Sequence, residues 1–198
     1  MNIQPITLEG QWVRLEPLSQ DHCDRLWQAA QDESIWRWML APVNSRDEMR
    51  TYIDSALAGQ AAGIMLPFAT IDKASGRIVG STRFDDIVQA HRRVEIGWTW
   101  IAPPWQRSAI NTEAKYLMLQ HAFERWNCVR VQLKTDSLNE RSRAAILRIG
   151  AKEEGTLRNH YLLSTGRLRH SIYFSILDTE WPTVKASLQE KLSRPALQ

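Results

Sequence analysis

The sequence predicts an α/β fold of the α+β kind, with a mixed, mostly antiparallel central sheet of about seven strands flanked by helices. Three observations carry this expectation. Alternating and helix-periodic segments interleave along the whole chain. Three strand patterns follow one another near the middle before any helix intervenes, as a hairpin-built sheet requires. A strand, helix, strand, helix run and two closing strands come after them. At 198 residues the chain is long enough for one sizeable core and short for two. Residues 1–198 are therefore read as one domain, with a core over about 7–178 and a last helix over about 180–193.

The elements follow in order. Trp12 to Leu18 alternates as a first strand, and Ser19 caps a helix running to about Gln31. Ser45 with Glu48 forms a capping-box pattern for a second helix that ends near Gly59. Met65 to Ile71 and Arg77 to Ile87 are β-rich, with turn residues Lys73 to Gly76 between them. A third strand of this group runs from Arg93 to Ile101 and is stopped by Pro103 and Pro104. Ala114, Leu117, Met118, Ala122 and Trp126 mark a helix, and Val129 to Thr135 a strand. Ala145, Ile146 and Ile149 mark the next helix, closed by Gly150. Two strands, Thr156 to Leu163 and Arg169 to Leu177, complete the sheet before Thr179 caps a helix with Trp181 and Pro182 in its first turn.

Composition narrows the function. The N-terminus has neither a basic nor an apolar leader region, and no apolar run approaches the roughly 20 residues that span a bilayer, so a cytoplasmic protein without a membrane partner is expected. Cys23 and Cys128 lie outside any metal or disulfide spacing and read as inert buried thiols, and no metal is expected. A net charge of +3 suits a polyanionic ligand, but the basic residues are scattered and interrupted by acidic ones, which argues against nucleic acid.

Three segments carry candidate chemistry. In Val94 to Ile101, strict alternation puts Val94, Ile96, Trp98 and Trp100 on one face and Glu95, Gly97 and Thr99 on the other. A carboxylate beside glycine leaves room for a substrate to approach the backbone, although a polar outer strand face reads the same way. Pro104 to Ala114 is a short loop entering a helix, whose free N–H groups attract phosphate; Arg107 and Lys115 add charge there. An ordinary capped helix, with Asn111 or Thr112 as N-cap and Glu113 answering the dipole, is the alternative. In the third segment, Asn139 and Ser142 lie where a strand gives way to a helix, and Ser142 is in register with Ala145, Ile146 and Ile149.

Taken together, Glu95-Ile96-Gly97-Trp98, Trp105-Gln106, Thr112-Glu113-Ala114, Asn139 with Ser142, and Gly150-Ala151 resemble the GNAT superfamily of N-acetyltransferases. The likeness runs from about Thr7 to Leu177 and points to the branch related to the Rim-type ribosomal-protein N-terminal acetyltransferases. It implies acetyl-CoA as co-substrate and an amine acceptor, either a protein N-terminus or a small molecule. It also implies a coenzyme A pyrophosphate held by the loop Gln106, Arg107, Ser108, Ala109, Ile110, Asn111 and Thr112, with Trp98 and Thr99 on the adjoining strand. Asn139 would then bond the pantetheine arm, Ser142 protonate the departing thiolate, and Glu95 act as base.

The family pattern Gln/Arg-x-x-Gly-x-Gly/Ala is broken here, because Ala109 and Asn111 occupy the glycine positions. If position 109 takes φ > 0, alanine costs about 1 kcal/mol and Ala109→Gly should tighten coenzyme A binding. Trp36 and Trp38, in Ile35 to Met39, read either as an acceptor pocket rim or as a Trp pair packed on the core. A homodimer is compatible with the sequence, and a non-catalytic acyl-CoA-binding regulator is the alternative function.

Overall fold

The computed structural model describes residues 1–193, so the last five residues of the expected domain lie outside the described residues. Eight strands form one sheet: β1 (Leu8–Glu9), β2 (Val13–Pro17), β3 (Leu66–Asp72), β4 (Ile78–Val88), β5 (Arg93–Ile101), β6 (Arg130–Asp136), β7 (Lys152–Leu162) and β8 (Leu168–Leu177). Their order is β1-β2-β3-β4-β5-β6-β8-β7, and only β5 and β6 run parallel. The one strand that the sequence did not suggest is β1, two residues long and too short to show a period.

Five α-helices cover the sheet: α1 (Cys23–Ala29), α2 (Arg46–Ala61), α3 (Ala109–Gln120), α4 (Glu140–Arg148) and α5 (Trp181–Ser193). Leu26 of α1 and Met49, Ile53 and Ala56 of α2 pack with Ala69, Ile71, Ile78 and Trp100 on one face. Ile110, Ala114 and Met118 of α3 pack on the other face, with Ile146 of α4 and Val184 and Leu188 of α5. Removing these side chains from water supplies the main driving force for the layers.

Capping sets the helix starts. Ser45 accepts a hydrogen bond from Glu48 N as expected, whereas the Glu48 carboxylate reaches back one residue further, to Asn44 N. At α3 the cap is Ser108, whose hydroxyl accepts from Ile110 N at 3.3 Å, so the helix begins a turn earlier than a cap at Asn111 or Thr112 would allow. A π-helical turn, His121–Arg125, extends α3. The last helix starts at Trp181, one residue later than a Thr179 cap would place it.

β5 departs most from its expected geometry. Ser81 pairs with Trp100 and Arg83 with Gly97, so β5 spends three residues where β4 spends two. The extra residue makes a bulge, with Trp98 at φ +53. Alternation consequently changes side within the strand. Val94 and Ile96 face α3, while Trp98 meets Tyr52 of α2 and Trp100 meets Trp36. The single bulky face of four residues is thus corrected to two half-faces, and Glu95 and Gly97 share their side with Trp98 and Trp100.

Candidate active site

The site begins where two parallel strands part. β5 pairs with β6 only from Arg93 to Glu95, opposite Arg130 to Gln132. Beyond Glu95, β5 stays with β4 and β6 stays with β8. A wedge opens between them and leads into a cavity of about 850 Å³. Backbone groups of β5 along the wedge have no strand partner on that side.

The bulge is held by three groups. Trp98 Nε1 donates to Asp85 at 2.8 Å, and its ring lies 4.6 Å from the guanidinium carbon of Arg83. Arg83 is buried and has Tyr52 on its other contact, at 4.3 Å. Aromatic faces attract a cation strongly once water is excluded, which offsets a left-handed tryptophan that costs on the order of 1–3 kcal/mol.

Glu95 lines the cavity and is 2% exposed. Its carboxylate accepts from Lys134 Nζ at 2.8 Å and from Gln132 at 3.2 Å. Burial raises its pKa; the Lys134 charge pulls it down and Asp85 pushes it up, and the net direction is upward. For Lys134, burial acts downward, but the neighbouring Glu95 carboxylate wins and the pKa rises. Gly97 leaves the carboxylate its place, because a Cβ on it would lie 2.7 Å from Glu95 Oε1 and push that oxygen aside.

The loop before α3 forms the other end. Gln106, Arg107, Ser108 and Asn111 line the cavity, whereas Ala109, Ile110 and Thr112 do not; Ile110 and Thr112 are buried on the inner side of α3. Thr112 instead accepts from Arg148 at 2.7 Å. The left-handed residue is Arg107, at φ +64, and Ala109 is the first residue of α3. Strain expected at position 109 is therefore absent. Ala109→Gly is now expected to leave coenzyme A binding equal or weaker, because glycine destabilises a helix by up to about 1 kcal/mol; tighter binding of the glycine variant in a calorimetric titration would contradict this.

Asn139 caps α4, its Oδ1 accepting from Ser142 N at 3.1 Å, which leaves the two N–H donors of its amide nitrogen outside the cap. Both Asn139 and Ser142 line the cavity. Trp98, Thr99 and Trp38 line it too, but Trp36 does not. Trp36 is a core residue, 6% exposed, with its Nε1 bonded to Ala30 O and its ring 5.5 Å from Trp100. Glu113, the other acidic candidate, is also structural: its carboxylate accepts N–H groups of Gln11, Trp12 and Val13 at 2.6–2.7 Å.

Lys115, expected to add charge near the phosphate loop, lines the same cavity but turns its amine away from solvent. Its amine instead donates to Thr99 Oγ1 at 2.6 Å and Thr82 Oγ1 at 3.2 Å, and burial lowers its pKa to about 7. The sign is destabilising. Below pH 7 both folded and unfolded chains hold the proton, and the fold bears the full cost of a buried charge. From about 7 to 10.5 only the unfolded chain keeps it, so stability rises with pH through that window. Lys115→Met is expected to melt above the wild type at pH 6, by a few kcal/mol at about 1.4 kcal/mol per pKa unit, with the gap closing towards pH 10. Thr82 and Thr99 bond each other at 2.8 Å, so the variant does not orphan them.

Asp85, Lys134, Arg148 and Arg169 also line the cavity and were not singled out from the sequence. Gln132 and Lys134 alternate with Val131 and Leu133, a signal that would have found Lys134 once β6 was known to lie beside Glu95. Among the described residues, six basic side chains besides the buried Lys115, and two acidic ones, line the cavity, which fits a polyanionic cofactor.

These features coincide with a defined class. The sequence matches the acetyltransferase (GNAT) domain family over residues 13–152, and the chain belongs to that family. It is an acetyl-CoA-dependent N-acetyltransferase. Among its relatives is YdaF of Bacillus subtilis (strain 168), provisionally described as a ribosomal N-acetyltransferase, with 33% identity over 135 residues, 68% of this chain and 67% of YdaF. A GCN5-related N-acetyltransferase from Brucella melitensis superposes with a TM-score of 0.89 at 34% identity, covering 96% of this chain and 86% of that one. Mycobacterium smegmatis RimJ in complex with CoA-disulfide shares the fold, with a TM-score of 0.82 at 22% identity over 96% of each chain. Among the described residues no helix is long and apolar enough to cross a membrane.

Proposed function

We propose that the chain works as one acyltransferase domain and transfers an acetyl group directly from acetyl-CoA to a primary amine in the wedge between β5 and β6. The observation that carries this reading is the Glu95 carboxylate, buried at the point where the strands separate and raised in basicity by that burial. Bound acetyl-CoA supplies the thioester; the chain supplies the rest. Backbone N–H groups of Arg107, Ser108 and Asn111, at the positive end of α3, hold the pyrophosphate, with the Arg107 and Arg148 side chains adding charge. Asn139 donates to the pantetheine arm. Unpaired N–H groups of β5 at the bulge polarise the carbonyl. Glu95 takes the proton of the incoming ammonium, directly or through one water, and the Ser142 hydroxyl returns one to the thiolate.

The acceptor enters past Trp38, Asp85 and Glu95. A protein N-terminus, as the description of YdaF suggests for that relative, and a small amine both suit this end, and a cytoplasmic location accompanies either. Homodimer formation is left to sizing by light scattering.

Acetyl-CoA is expected to raise the melting temperature far more than adenosine does, since a ligand of the native state stabilises it by mass action. Thiol release from acetyl-CoA on adding an amine panel separates the enzyme from a binding-only regulator. No melting shift at millimolar acetyl-CoA removes the cofactor assignment; a shift without amine-dependent thiol release favours the regulator.

A further inference from the structure

Arg169 stands apart among the charged groups of the cavity. It lies on β8, is 6% exposed, and lines the same cavity as Glu95 and Trp38. One guanidinium nitrogen donates to Trp38 O at 3.2 Å, which ties the acceptor loop to the sheet. Tyr161, also a cavity residue, lies 5.6 Å from its guanidinium carbon. Arg169 Nε is closed to solvent and has no hydrogen-bond partner among the described residues.

The available carboxylate does not satisfy it. Asp136 stands 4.0 Å from Arg169 Nε. Its oxygens are already engaged, Oδ2 by Arg167 and Oδ1 by Leu138 N. Burial lowers the Arg169 pKa, and Asp136 only partly opposes it. A desolvated guanidinium with an open donor is costly unless something completes it, and its planar fork matches a carboxylate. Arg37, whose guanidinium carbon lies 5.1 Å from the Trp38 ring, brings further positive charge to the mouth. A cation-rich mouth disfavours polyamines, whose second ammonium would meet these groups.

We infer that Arg169 is a specificity-determining residue that binds a carboxylate of the acceptor while the acceptor's amine lies towards Glu95. The inference rests on the amine-acylating reading above. The carboxylate belongs to a free amino acid or to an acidic side chain near a peptide N-terminus, and these sources are separable.

The test is calorimetric titration of the protein, saturated with coenzyme A, with four probes: Asp-Ala-amide, Asn-Ala-amide, glycylglycine and glycylglycinamide. At least one carboxylate-bearing member is expected to bind about tenfold or more tightly than its amide, as a charge-assisted bond to a buried donor allows. A preference in the Asp/Asn pair points to an acidic peptide, and one in the glycylglycine pair to a free carboxylate. Arg169→Gln is expected to erase the preference and Arg169→Lys to keep part of it, with melting curves confirming that both fold. Equal binding within both pairs overturns the inference, and so does a preference that survives in folded Arg169→Gln. Thiol release from acetyl-CoA with the same probes reports separately on the reaction, so a preference without turnover would sink the acyl-transfer reading and leave the subsite standing.

Discussion

Glu95→Gln is expected to lower kcat/KM roughly 10²- to 10⁴-fold, the usual worth of a general base. An amine reaches the site mostly as an ammonium at neutral pH, and it cannot attack a thioester until a proton leaves. Glu95 is placed to take that proton, because burial raises its pKa and so its basicity. Lys134, at 2.8 Å, keeps it ionised above that pKa. Activity should therefore fall as pH drops through a value above the ordinary carboxylate range, and this acid limb should vanish in the glutamine variant. Glutamine keeps the shape, and acetyl-CoA should still raise the melting temperature of the variant. Near-normal kcat/KM with the acid limb intact would assign the proton to another group. Glu113 is not that group, since its carboxylate is committed to three backbone donors.

Glu113→Ala is expected to cost about 2–3 kcal/mol of folding stability in urea unfolding, because it strands the buried Val13 N–H and takes a charged acceptor from the half-covered N–H groups of Gln11 and Trp12. Gln11 and Trp12 belong to the turn between β1 and β2 and Val13 opens β2, so the carboxylate fastens the N-terminal hairpin to the start of α3. Gly10 completes the arrangement: a Cβ there would lie 2.3 Å from the Glu113 carboxyl carbon. Glu113→Gln should recover part of the loss, since its carbonyl oxygen can still accept from Trp12 N and Val13 N while its NH2 group faces the Gln11 N–H. A loss below about 1 kcal/mol in the alanine variant would mean that water replaces the carboxylate without penalty.

The fold was largely legible because its devices are local. β5 runs from Arg93 to Ile101 as its alternation and the two prolines indicate, and Asn139 and Gly150 bracket α4. The cavity was legible where a helix start marks it, at Gln106, Arg107, Ser108 and Asn111 and at Asn139 and Ser142. What stayed hidden depends on partners distant in sequence. A tryptophan at φ +53 gives no local signal, since left-handed backbone is read from Gly, Asn or Asp; Arg83, Asp85 and Tyr52 hold it there. The same bulge turned Thr99 towards Lys115 and made that lysine a buried group rather than a phosphate contact. Trp36 and Trp38, two residues apart, divided between core and cavity because a 3-10 turn, Glu33–Ile35, precedes them and no strand sets their alternation. Lys134 and Arg169 needed the register of β6 against β5 and β8, which pairs residues about 40 positions apart.

Direct transfer makes a kinetic demand that a covalent acyl-enzyme does not, because both substrates must occupy the wedge together before either product leaves. Initial velocities of thiol release, measured over a grid of acetyl-CoA and amine concentrations, test this most directly. The account predicts intersecting double-reciprocal lines, with no acetylated protein detectable by mass spectrometry after acetyl-CoA alone. Parallel lines together with a stoichiometric acetyl-enzyme would contradict it, since they are the fingerprint of a covalent intermediate.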